Sequence, residues 1–86
     1  MAQQAINFAI ARVRAYIRDN ELVKEYVSGK YNEYNHYIYS RGTVLSIGEC
    51  NTVNDLPLLG YFKSNEACQQ VIDNNRSDLN LIYGIK

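Results

Sequence analysis

Tyr37-Ile38-Tyr39-Ser40-Arg41-Gly42-Thr43-Val44-Leu45-Ser46-Ile47 is the stretch whose reading decides the fold class. Aromatic and β-branched residues fill both halves, and such side chains suit a pleated, half-buried surface. Between the halves, Arg41-Gly42 reads as a tight turn joining two antiparallel strands. Pairing across it sets Ser40 against Thr43, Ile38 against Leu45 and His36 against Ile47. Opposed residues share a face, so Ile38, Leu45 and Ile47 point to the core, and Tyr37, Tyr39, Val44 and Ser46 point away. Arg41 is an unusual residue for a positive φ, which leaves the turn type open.

Upstream of this hairpin the pattern changes period. Ile6, Ile10, Val13 and Ile17, with Ala2, Ala9 and Tyr16 beside them, fall on one arc of a helical wheel. This predicts an amphipathic helix over Ala2 to Arg18. Extending the same arc would bury Asn20 and Lys24, so a break or kink is expected near Asp19-Asn20. Asn20 would then cap a second short helix, Glu21 to Val27, stopped by Ser28-Gly29.

Downstream, Asn51 to Asp55 before Pro57 reads as a loop and Leu58 to Phe62 as a third strand. Ser64 is a good N-cap for a helix opening Asn65-Glu66-Ala67, with Glu66 favourably placed in the first turn. Ala67 with Val71 and Cys68 with Ile72 form its buried i, i+4 pairs, and it should end near Asn74-Asn75. Leu79, Leu81, Tyr83 and Ile85 alternate, which fits either a last strand or a final short helix. The expected architecture is one α+β domain spanning 1–86. Its amino-terminal helix, kinked near Asn20, packs on a small antiparallel sheet of three or four strands. A second helix lies near the carboxy terminus.

Composition bounds the function. The 86 residues suit one small domain, with 47% hydrophobic and 21% charged residues, an ordinary globular balance. Nine basic residues against nine acidic ones give zero net charge, which argues against polyanion mimicry and strong electrostatic binding of nucleic acid. The zero is a sum of unlike parts. Residues 1–20 carry three positive charges and one negative (net +2), and residues 21–86 carry six and eight (net −2). No apolar run approaches a membrane span and no secretory leader is evident, so a reducing cytoplasm with free thiols is expected.

The segment Gly60-Tyr61-Phe62-Lys63-Ser64-Asn65-Glu66-Ala67, followed by Asp78-Leu79, resembles the carboxy-terminal part of many small phage and prophage proteins of Gram-positive bacteria. Those commonly show a Tyr-rich strand and then Gly-x-x-Phe-x-Ser/Thr-x-Glu-x-Ala opening a helix. Here Glu66 and Ala67 are adjacent, a departure from that spacing. The resemblance implies a mobile-element protein, some relatives of which antagonise host defence, anti-CRISPR proteins among them. It carries over no catalytic residue.

The residues themselves offer little chemistry. His36 is the single histidine, and Cys50 and Cys68 lack the spacing of a zinc site. The expected register puts His36 and Cys50 on opposite faces, against a nucleophile–base pair, and Cys68 reads as a small buried hydrophobe. No phosphate-cradling glycine motif occurs. We expect no enzyme activity, no cofactor and no metal.

The informative segment is Tyr31, Asn32, Tyr34, Asn35, His36, Tyr37 and Tyr39. Strands favour Tyr and turns favour Asn, which explains part of it. Binding surfaces use the same mixture, because Tyr offers a large rigid contact area and Asn adaptable hydrogen bonds. Tyr31, Tyr34, Asn35, Tyr37, Tyr39 and Arg41 are therefore the candidate contact residues for a protein partner. Phe8, Arg12, Arg14 and Arg18 on the first helix form the alternative surface. It would suit a nucleic-acid accessory role, while the apolar arc would permit a homodimer or a homo-oligomeric structural role.

Overall fold

The computed structural model describes residues 2–23, 35–50 and 57–85. Four elements appear in chain order: α1 (Ala2–Asp19), β1 (Asn35–Arg41), β2 (Val44–Cys50) and α2 (Asn65–Ile82). The expected first helix is present, and its arc is the buried one: Ala9, Val13 and Ile17 are in the core. No helix among the described residues is long and apolar enough to cross a membrane.

The second short helix does not begin at Glu21. Asn20 closes α1 instead of opening another helix, since its backbone N–H and its Nδ2 both donate to Tyr16 O. Glu21 N–H donates to Arg18 O and Leu22 N–H to Ile17 O, the paired bonds of a Schellman motif. Glu21 occupies the left-handed position of that motif at φ 53°. This reversal turns Leu22 back into the core beside Ile17. Val23 then forms an isolated antiparallel bridge with Phe62. The rest of the expected helix lies outside the described residues.

The hairpin is present with its register moved by two residues. Arg41 pairs with Val44, Ile38 with Ile47, and His36 with Glu49. The two-residue loop is Gly42-Thr43, because Gly42, at φ 63°, takes the positive torsion that Arg41 would have had to adopt. Side chains alternate with period two, so an even shift preserves the faces. Ile38, Ile47 and Leu45 still face the core, as the alternation predicts.

Among the described residues the sheet has two strands, not three or four. The expected third strand is broken by its own glycine: Gly60 has φ 83° and its N–H donates to Pro57 O. What survives is one rung. Phe62 bridges His36 on one side and Val23 on the other, donating its N–H to His36 O at 2.8 Å. Its side chain is fully buried at the centre of the core.

Ser64 caps α2 as expected, its Oγ accepting from Ala67 N–H at 3.1 Å. The helix does not stop at Asn74-Asn75. Asn75 takes non-helical torsions (φ −136°, ψ 25°) and marks a kink, while its Nδ2 donates to Val71 O and keeps that carbonyl satisfied. The helix then resumes to Ile82, so the last segment is helical and not a strand. A second Schellman motif ends it, with Ile85 N–H on Asn80 O and Gly84 in the left-handed region.

The packing order also differs from expectation. Among the described elements α1 packs on α2, not on the hairpin, and α2 meets both strands. The buried residues of α2 explain its central place. Ala67, Cys68, Val71, Ile72 and Leu79 spread over about 140° at 100° per residue, wider than the stripe of a helix with one neighbour. The helices run antiparallel, Arg12 meeting Asp78 and Tyr16 meeting Gln70. Tyr83 Oη donates to Ile38 O at 3.2 Å and so ties the end of α2 to β1.

Candidate protein-binding surface

The outward face of the hairpin carries Asn35, Tyr37, Tyr39 and Arg41 from β1, with Val44, Ser46 and Gly48 opposite them on β2. It is graded along its length. At the open end Asn35 is fully buried, so its side chain presents no contact area to a partner. Tyr37 and Tyr39 are half-buried, with ring centroids 5.7 Å apart at 43°. At the tip Arg41 is exposed, and Val44 across from it is 60% exposed. Tyr31 and Tyr34 lie outside the described residues.

Two residues that shape this face were not evident from the sequence. Tyr61 stands edge-on to Tyr37, centroids 6.4 Å apart at 89°, and is itself buried. Edge-to-face geometry sets the positive ring edge against a negative ring face. Gly48 lies beneath Tyr37, and a Cβ built there would overlap the outer atoms of that ring. The sequence register had placed Ser46 across from Tyr37, which hid the role of Gly48. Tyr61 was hidden because its segment read as a regular strand.

The first-helix candidates separate into two groups. Phe8 is 57% exposed. Arg12 is engaged in a bidentate pair: its Nε donates to Asp78 Oδ2 at 3.0 Å and its terminal nitrogen to Oδ1 at 2.8 Å. These hydrogen bonds lower the Asp78 carboxyl and raise the Arg12 guanidinium from their ordinary values. Arg14 and Arg18 lie about 200–240° around the helix from Arg12. Arg14 reaches Leu58 O at 3.4 Å, and Arg18 reaches its neighbour Asp19 at 3.4 Å. The three cations therefore do not form one patch.

Comparison of the chain with protein-family models, with curated proteins and with solved structures finds no match. The reading of the surface rests on its own chemistry.

Cys68 is fully buried in α2, and burial pushes its thiol up to about 12, so it stays protonated and unreactive at neutral pH. For Cys50 only the backbone position is described, opposite Asn35 in the ladder.

Proposed function

We propose that the chain is a non-enzymatic protein-binding module that meets its partner through the tip half of the hairpin's outward face. The observation that carries this reading is the arrangement around Tyr39. Its ring leans on Tyr37 in a tilted contact and is braced through it by Tyr61, with exposed Arg41 and Val44 beyond. Rigid tyrosine rings and an arginine are the residue types that dominate binding hot spots. A ring already held by its neighbours loses little conformational freedom on contact.

The partial resemblance to phage-encoded proteins favours a bacterial host protein as partner, with components of host defence the class to examine first. The test uses the intact chain as bait in bacterial lysate, followed by measurement of affinity with the purified partner. Tyr39→Ala with Arg41→Ala should weaken binding by at least about tenfold, the loss of roughly 1.4 kcal/mol. Unchanged affinity in a folded double variant would remove the tip from the interface. A protein that captures nothing and turns over a small substrate would overturn the whole reading.

A further inference from the structure

One polar cluster away from the tyrosine face joins three elements. His36 on β1 and Glu49 on β2 are directly opposed in the ladder, and Asn65 opens α2 just after its Ser64 cap. His36 Nδ1 lies 2.8 Å from Asn65 Oδ1, and Asn65 Nδ2 donates to Glu49 Oε1 at 2.7 Å. The same Glu49 oxygen is 3.7 Å from His36 Nδ1.

The donor and acceptor roles in this chain follow from chemistry. An ionised carboxylate has no hydrogen to give, so the amide atom facing Glu49 is the NH2 group. The Asn65 carbonyl oxygen must then face His36. A carbonyl oxygen only accepts, so Nδ1 must carry the hydrogen. In a neutral imidazole the other nitrogen then holds the lone pair, and the bond made by one nitrogen sets the tautomer of the ring.

We infer that the Glu49–Asn65 pair locks neutral His36 as its Nδ1–H tautomer, leaving Nε2 as the accepting nitrogen. The same chain of hydrogen bonds latches the open end of the hairpin to the first turn of α2. His36 keeps 17% of its side-chain surface exposed, and in this tautomer Nε2 is the ring atom that would take a hydrogen-bond donor.

His36 is the single histidine, so long-range 1H–15N NMR of the uniformly labelled chain reports on it without ambiguity. At a pH where the imidazole is neutral, Nδ1 should show the protonated signature and Nε2 the unprotonated one. Glu49→Ala frees the Asn65 amide to turn over, and a mixture containing the Nε2–H form should appear. Asn65→Asp places a carboxylate against Nδ1 and should retain the native tautomer without help from Glu49. A predominant Nε2–H form in the unmutated chain would overturn the assignment by itself, even if a variant failed to fold. Identical ring signals in the unmutated chain and a folded Glu49→Ala variant would overturn the role of Glu49.

Discussion

Three residues carry the sharpest consequences at the scale of single side chains. Glu21 holds the left-handed position of the first Schellman motif, where a Cβ crowds the following carbonyl and glycine is the usual occupant. Glu21→Gly should stabilise the fold by about 1 kcal/mol, the order of the penalty removed. For a domain of this size that raises the melting temperature by roughly 4–8 °C, readable by circular dichroism. Gly48 is the opposite case, a position where any side chain meets the Tyr37 ring. Gly48→Ala should swing that ring off Tyr61 and cost about 0.5–1.5 kcal/mol of aromatic contact, with altered ring-proton shifts in NMR. Leu79 is fully buried, and Leu79→Ala should destabilise by about 2–5 kcal/mol in urea unfolding. That loss is a large fraction of the total for a small domain.

Between elements, the Arg12–Asp78 pair fastens α1 to the second half of α2, beyond the kink at Asn75. The Arg12 guanidinium holds the Asp78 carboxyl below its ordinary value. A lowered carboxyl contributes stability above its unfolded pKa of about 3.9, and the contribution fades as pH falls through the folded value. Acidification below about pH 4 should therefore loosen this helix pair. The effect is modest, since the Arg12 side chain is 57% exposed and solvent screens the pair. Asp78→Asn should flatten the dependence of melting temperature on pH in that acid range, lowering the melting temperature slightly at neutral pH without altering its slope there. The hairpin teaches a related lesson. Moving the two-residue loop by one position shifts the register by two, so side-chain faces are robust while the partner of each residue is not. That is why Ile38 and Ile47 could be assigned to the core from sequence, and the contact between Tyr37 and Gly48 could not.

Across the whole molecule, Cys68 and Tyr83 report on the integrity of the core. Burial pushes both up to about 12. An acid whose folded pKa is raised contributes stability that is intact below its unfolded pKa, about 8.5 for Cys and about 10 for Tyr. It is lost as pH rises toward the folded value. Stability should therefore decline from roughly pH 8.5 upward, and Cys68→Ala should remove the earlier part of that decline. In a Cys50→Ser background, the Cys68 thiol should react with a thiol reagent only as fast as the fold opens. The amphipathic arc of α1, the Ser64 cap and the alternation of the hairpin were legible in the sequence, because each follows from side chains interacting with their own element's backbone or period. The shared face of Tyr37 and Tyr39 was legible for the same reason. The break after Asp19 was legible as well, but the course of the chain at Val23, the fate of Leu58 to Phe62 and the course of α2 past Asn75 were not. Each depends on where distant backbone groups find partners: Phe62 with His36 and Val23, and Tyr83 with Ile38. By itself the sequence determined which residues are apolar and at what period, and hence the α+β class and the buried stripes. Only the tertiary structure decided that α2 sits between α1 and the hairpin, that Arg12 is occupied by Asp78, and that Asn35 is buried while Arg41 is not. Local periodicity is written in neighbouring residues. Burial and pairing are properties of contacts between residues far apart in the chain.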